Sequence, residues 1–115
     1  MKPVNNHINY IEFKSNNLAA TKTFYEDCFN WKFTDYGPTY ISFEGAGIAG
    51  GFEFTEEEIE NGVLVVIVNQ DLPRTKQKII EAGGTITVDI FSFPGGERFQ
   101  FLDPSGNELS VWREV

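Results

Sequence analysis

The sequence predicts an α+β protein built from two tandem βαβββ modules that form a curved, cup-like mixed β-sheet with the helices outside. The main observation is an internal repeat, in which Ile11–Lys22 and Val65–Lys76 superpose at an offset of 54 residues. Each copy is an apolar strand, a polar cluster and the start of a helix, and turn residues divide the rest of each copy into three short strands. We therefore expect one domain over residues 1–115, with module 1 at about 6–54 and module 2 at about 63–113.

The first module begins with a strand over His7–Phe13, followed by the polar run Ser15–Asn17, which supplies N-cap oxygens for a helix ending at Asn30. Three further strands are predicted at 31–36, 40–44 and 48–54. The pair Gly50-Gly51 lies inside the last of these. It indicates either a β-bulge or a place where another group approaches the backbone closely.

The stripe of the first helix that faces the sheet is expected to consist of Leu18, Thr21, Tyr25 and Cys28. Cys28 is the only cysteine, which excludes an internal disulfide framework and suits a reducing cytoplasm. Its place on the stripe predicts an inert packing thiol.

The second module begins with Val63–Val68, a continuous aliphatic strand that we expect to be buried on both faces. Asp71 is the predicted N-cap of the second helix, and Gly83-Gly84 its left-handed C-terminal end. The buried stripe of this helix is predicted to be Leu72, Thr75, Ile79 and Ile80. Strands are predicted at 85–93, 97–102 and 108–113, and turn geometry explains every residue of Asp103–Asn107.

Composition excludes several classes of function. A net charge of −8 without a basic cluster argues against nucleic-acid binding. The longest apolar run, Val63–Val68, is far too short to span a bilayer, and no apolar leader follows the start, so we expect a soluble cytoplasmic protein. Eleven phenylalanines in 115 residues either fill a small core or line an apolar pocket.

Several motifs together resemble the vicinal oxygen chelate superfamily, which contains glyoxalases, bleomycin-resistance proteins and extradiol dioxygenases. They are Asn17-Leu18, Phe24-Tyr25, Phe29–Trp31, Ala82–Gly84 and Phe101–Leu109. The resemblance extends from Ile8 to Trp112 and is strongest to the small stand-alone glyoxalase-related branch. It implies the two-module fold, but the superfamily carries many activities on one scaffold.

Metalloenzymes of this superfamily place His or Glu at the start of the first strand and near the end of the last strand of each module. By resemblance, the corresponding positions are Tyr10, Gly50, Leu64 and Ser110. Neutral Tyr and Ser are weak ligands for divalent ions, and Leu and Gly offer no side-chain donor. The only histidine, His7, lies three residues before the expected position. No cofactor is therefore predicted, and a divalent metal ion is disfavoured.

Glu12 is the predicted functional carboxylate, because strand alternation places it on the same face as Tyr10. Inside an apolar cup it could act as a general base or as a hydrogen-bond anchor for a ligand. The structural alternative is an ion pair with Arg98, Arg113 or Lys14 at a solvated rim.

The strand at 97–102 has one polar and one aromatic face, because Arg98 and Gln100 alternate with Phe99 and Phe101. If the polar face turns inward, Arg98 could meet a ligand carboxylate. Trp112 is expected deep in the cup beside Phe52, where it stacks on a planar ligand or fills the core.

The first functional hypothesis is a metal-free superfamily member that binds a small, partly aromatic or apolar molecule. Its predicted contacts are Tyr10, Glu12, Phe52, Arg98 and Trp112. The alternative is a lyase or isomerase of glyoxalase type, related to lactoylglutathione lyase, with Glu12 as general base and a metal held in a non-standard way. A third hypothesis is a protein-interaction module without a small ligand. The resemblance also implies a homodimer.

Overall fold

The computed structural model describes residues 3–60, 62–102, 104 and 106–115. Within them the elements are β1 Ile8–Ser15, α1 Leu18–Phe29, β2 Lys32–Asp35, β3 Tyr40–Glu44, β4 Ala49–Phe54, β5 Val63–Val68, α2 Leu72–Glu81, β6 Thr85–Phe93, β7 Gly96–Leu102 and β8 Glu108–Glu114. This order confirms the α+β class and the two βαβββ modules. No helix among these residues is long and apolar enough to cross a membrane.

The chain divides into two compact units. The first unit is Tyr10–Leu64, and the second consists of Val65–Val115 with the segment that ends at Asn9. In the first unit the strand order is β2-β3-β4-β1, with β1 parallel to β4 and the other pairs antiparallel. In the second unit the order is β6-β7-β8-β5, with β5 parallel to β8 and the other pairs antiparallel. The repeat seen in the sequence therefore extends to strand order and direction.

The two helix N-caps lie at equivalent positions, as predicted. The Asn17 side chain accepts a hydrogen bond from the Ala20 backbone N–H at 3.0 Å, and that of Asp71 accepts one from the Arg74 N–H at 3.1 Å. Each cap satisfies a backbone donor that the first helical turn leaves without an intrahelical acceptor. Asn30 ends α1 in the left-handed conformation, with a φ of 60°.

The core of the first unit lies between its strands and α1. Ile41, Phe43 and Phe52 are buried there, and the Phe13 ring stacks on Phe52 with the ring centroids 5.1 Å apart. Tyr25 of α1 lies 5.3 Å from Phe52, measured between ring centroids. These phenylalanines therefore fill a core.

The core of the second unit contains Leu72 of α2, Phe99 and Phe101 of β7, and Val111 of β8. The aromatic face of β7 thus packs with the helix. Because side chains alternate along a strand, Arg98 and Gln100 lie on the opposite face. The structure settles this point, which the sequence left open.

The predicted helix stripes are wrong at one position in each helix. Cys28 is exposed, because Trp31 takes the place at the end of α1, with its ring stacked on Tyr25 and on Phe43 at centroid distances of 4.6 Å. Ile80 is 46% exposed, whereas Leu72 is 1% exposed. Leu72 and Ile79 are seven residues apart and share a helix face, and Ile80 is rotated about 100° from it.

Other predictions differ from the structure or fall outside it, and several strand bounds differ by one residue. Val63 is exposed, so β5 is not buried on both faces along its whole length. β1 begins one residue later than predicted and continues to Ser15. Of the predicted turn Asp103–Asn107, Asp103 and Ser105 lie outside the described residues.

Candidate functional site

One face of the sheet in the first unit carries the polar side chains of Tyr10, Glu12 and Tyr40, and we call this face the Glu12 face. Phe13 packs with the α1-side core, so strand alternation directs its neighbour Glu12, and likewise Tyr10, to the other face. Glu12 pairs in register with Gly51 of β4. The prediction that Tyr10 and Glu12 share a face agrees with these contacts.

A third residue, Tyr40 of β3, joins Tyr10 to Glu12. The Tyr40 hydroxyl donates a hydrogen bond to Oε1 of Glu12 at 3.2 Å, and it lies 2.6 Å from the Tyr10 hydroxyl. A tyrosine hydroxyl has only one proton. When Tyr40 gives its proton to Glu12, the Tyr10 hydroxyl can donate the second bond, so the Tyr40 hydroxyl bridges Tyr10 and the carboxylate.

The cluster is largely removed from water. Glu12 is 7% exposed, and a carboxylate at such a position requires hydrogen-bond donors. Burial raises the pKa of the Tyr40 hydroxyl well above its usual range, and the hydrogen bond with Tyr10 and the charge of Glu12 act in the same direction. Tyr40 therefore stays protonated, and remains a donor, throughout the neutral range.

The two glycines of β4 are sites of close approach, one on each face. A Cβ at Gly50 would lie 2.2 Å from the Phe43 ring, on the α1 side. A Cβ at Gly51 would lie 2.3 Å from the Tyr40 hydroxyl oxygen, on the Glu12 face. The register of β1 with β4 runs unbroken from Tyr10 to Ser15, so the alternative of a bulge is wrong.

Arg98 and Trp112, the predicted site residues of the second unit, lie side by side on β7 and β8. Arg98 pairs in register with Trp112, and its guanidinium lies over the rings of Phe91 and Phe93, 5.3 and 5.8 Å from their centroids. The indole N–H of Trp112 donates to the Asn9 side-chain oxygen at 3.0 Å. An arginine between aromatic faces gains cation–π attraction and keeps its planar donor group ordered.

Phe52 does not share the Glu12 face. It is buried in the core with Phe13 and Tyr25, on the α1 side of the first unit. The reason is its register, since Phe52 pairs with Phe13 and not with Glu12. Phe52 is therefore a core residue of the first unit and not part of the Glu12 face.

Two of the cations named as rim partners of Glu12 have other partners. Lys14 pairs with Glu53, and Arg113 with Glu97 at 2.7 Å. Lys14 and Glu53 point to the same face because they are neighbours in the register of β1 and β4. The rim ion pairs are thus formed by residues of adjacent strands.

At the positions assigned by resemblance to metal ligands, the side chains are engaged in other hydrogen bonds or carry no donor atom. The Tyr10 hydroxyl is hydrogen-bonded to Tyr40, and the fully buried Ser110 hydroxyl donates to the Phe99 carbonyl oxygen at 3.0 Å. Leu64 has no donor atom, and Gly50 faces the α1 side. Over the described ranges, no three His, Cys, Asp or Glu side chains cluster.

The strand register also corrects one of these positions. Ser110 pairs with Val66 in the second module, and the residue 54 positions before Val66 is Glu12, which pairs with Gly51. The first-module equivalent of Ser110 is therefore Gly51, not Gly50. The position assigned by resemblance is one residue off, which reverses the face because side chains alternate along a strand.

The comparisons with solved structures show the fold. A superfamily member from Vibrio splendidus 12B01 is 14% identical with a TM-score of 0.73, covering 95% of this chain and 99% of that one. A methylmalonyl-CoA epimerase from Streptomyces coelicolor, in complex with 2-nitronate-propionyl-CoA, is 14% identical with a TM-score of 0.72, covering 97% and 99%. A Mn(II)-bound glyoxalase from Novosphingobium aromaticivorans is 18% identical with a TM-score of 0.72, covering 96% of this chain and 39% of that one.

No curated protein sequence matches this chain. The sequence profile of one family matches residues 7–111, which is most of the chain and spans both βαβββ modules. The chain belongs to the Glyoxalase/Bleomycin resistance protein/Dioxygenase superfamily.

Proposed function

We propose that the protein binds a small organic molecule on the Glu12 face of the first unit, and that it does so without the divalent ion used by metalloenzymes of the superfamily. The observation that carries the proposal is the buried Glu12 carboxylate, which accepts a hydrogen bond from Tyr40. Burying a carboxylate destabilises a fold unless donors compensate for the lost water. A carboxylate kept at such a place is a candidate for recognition of a ligand.

The chemistry of the cluster favours a ligand with a hydrogen-bond donor and an apolar body. The Glu12 carboxylate accepts hydrogen bonds, and the rings of Tyr10 and Tyr40 add apolar surface beside it. Arg98 and Trp112 remain proposed contacts within the second unit, where a guanidinium and an indole lie among phenylalanine rings.

The first test is a thermal-shift screen of a metabolite library against the wild-type protein, Glu12→Gln and Glu53→Gln. Glu53 is the matched control, because it lies on the same face but is paired with Lys14 at the surface. A ligand at 100 times its Kd adds about 2.7 kcal/mol to the free energy of unfolding. We expect that gain in the wild type and in Glu53→Gln, and its loss in Glu12→Gln. Equal gains in both variants would contradict the site, and a library without any hit would favour a protein-interaction module.

A second candidate function is proton transfer to and from a carbon atom, as in a lyase or isomerase. The hydrogen bonds that join Tyr10, Tyr40 and Glu12 favour this second function. Glu12 would take a proton from an acidic C–H bond, the electron pair would stay on the substrate as an enolate, and the same carboxylate would return the proton. Tyr40 would hold the carboxylate in place as a neutral donor.

Deuterium exchange separates binding from proton transfer. Each ligand from the screen is incubated with the protein in D2O, and loss of its C–H signal is followed by proton NMR. Proton transfer predicts exchange with wild-type protein and none with Glu12→Gln. Binding without any exchange, in the presence or absence of added nickel, zinc or manganese, would rule out this second function.

The homodimer and the cytoplasmic location remain predictions. Sedimentation equilibrium of the full chain across a hundredfold concentration range tests the first, because a dimer gives twice the mass of 13.0 kDa. Fractionation of the native host cell tests the second.

A further inference from the structure

The Tyr40 side chain crosses a strand to reach its partners. In the first unit β4 lies between β3, which carries Tyr40, and β1, which carries Tyr10 and Glu12. Neighbouring strands are about 4.8 Å apart, so β1 and β3 are separated by about 10 Å. Tyr40 reaches Glu12 only by lying across the backbone of β4.

The residue beneath Tyr40 on β4 is Gly51. A Cβ at this position would lie 2.3 Å from the hydroxyl oxygen of Tyr40 and 2.6 Å from two of its ring carbons. These distances are far shorter than a carbon contact, so any side chain at position 51 would occupy the space that Tyr40 now fills.

We propose that Gly51 is the positioning residue of the Glu12 site, because its missing side chain leaves the space in which Tyr40 holds its hydroxyl between Tyr10 and Glu12. The inference rests on the proposed function for the site's role in binding, but the geometry stands without it. It assigns a role in the site to a residue that has no functional group.

The second module shows what a side chain at the equivalent position does. There Ser110 supplies a hydroxyl from its own strand and donates it to the Phe99 backbone. In the first module the strand supplies none, and the hydroxyl comes from Tyr40 on the next strand. The first module thus presents the Tyr40 hydroxyl to a carboxylate, whereas the Ser110 hydroxyl of the second module is bonded to a backbone carbonyl of the neighbouring strand β7.

The direct test is tyrosine ionisation in Gly51→Ala, followed by NMR of protein labelled with 13C in the tyrosine rings. Tyr36, which is 63% exposed, is the internal reference for a tyrosine ring in contact with solvent. Tyr10→Phe and Tyr40→Phe assign the other signals. In the wild type the Tyr40 signal should stay unionised at about pH 10, the ordinary pKa of a tyrosine hydroxyl, because the pKa of Tyr40 is raised. In Gly51→Ala it should ionise at a lower pH than in the wild type, because Tyr40 loses its place in the cluster. An unchanged, unionised Tyr40 in a folded Gly51→Ala protein would overturn the proposal.

A double-mutant cycle covers the case in which Gly51→Ala is unstable. In Tyr40→Ala the side chain that would clash is absent, so adding Gly51→Ala should change the urea midpoint far less than it does in the wild type. Equal shifts in the two backgrounds would overturn the proposal.

Ligand affinity separates this proposal from the proposed function. For any hit of the screen, Gly51→Ala and Tyr40→Phe should each weaken binding about tenfold or more, and the double variant should be no weaker than either. If no ligand exists, the proposed function fails. The tyrosine titration and the double-mutant cycle still decide whether Gly51 positions Tyr40.

Discussion

Tyr40 on β3 donates a hydrogen bond to Glu12 on β1, with the two oxygens 3.2 Å apart, although β4 lies between these strands. Contacts on one face of a sheet usually join adjacent strands. Here a bare glycine in the middle strand lets a tyrosine reach the second strand along. The bond therefore ties three strands together and places a neutral donor on a buried carboxylate.

Replacing Tyr40 by Phe should lower the free energy of unfolding by about 1–3 kcal/mol, because the buried Glu12 carboxylate loses the hydrogen bond from Tyr40 while the ring remains. Urea unfolding followed by circular dichroism measures the change. Tyr36→Phe is the control, since an exposed hydroxyl contributes within about 0.5 kcal/mol. Equal losses in the two variants would mean that the bond to Glu12 does not stabilise the fold.

The raised pKa of Tyr40 predicts a loss of stability in alkali. The folded state keeps the Tyr40 proton above pH 10, whereas the unfolded chain releases it there. The contribution of Tyr40 protonation to the free energy of unfolding is therefore fully present below pH 10. It decreases as the pH rises further, by at most about 1.4 kcal/mol per pH unit. Urea midpoints at pH 8 to 11 should fall more steeply for the wild type than for Tyr40→Phe. Parallel curves would show that Tyr40 titrates normally.

The sequence predicts the elements well, because their signals are local. Asn17 and Asp71 act through backbone groups three residues away, and the repeat places both at the same offset. The Tyr10 and Glu12 pair was also predictable, since strand alternation needs only the strand itself. The pair Gly50-Gly51 indicated either a bulge or a close approach, and the sequence could not identify the approaching residue.

Tyr40 itself was not predictable as a site residue. Its contact with Glu12 depends on the register of three strands and on a missing side chain in the middle one. The faces of Phe52 and of Arg98 depend on the same kind of long-range pairing. A one-residue error in such a register reverses a face, which is why Gly50 was named where Gly51 applies.

Cys28 should react in the folded protein, because its side chain is exposed at the end of α1. We expect one equivalent of thiol to react with Ellman's reagent in native buffer, at a rate close to that in urea. Cys28→Ser gives the blank. A thiol that reacts only after unfolding would restore the prediction of a buried packing group.

One leucine and one isoleucine of α2, Leu72 and Ile80, give a matched pair for testing how this helix packs. Leu72 is 1% exposed and lies in the core with Phe99 and Val111, so Leu72→Ala should cost about 2–5 kcal/mol of the free energy of unfolding. Ile80 lies on the same helix but is 46% exposed, so Ile80→Ala should cost less than about 1 kcal/mol. Both changes leave an alanine, which favours helix, so the difference reports burial and not helix propensity. Similar costs at the two positions, measured by urea unfolding, would mean that α2 is rotated from the orientation described here.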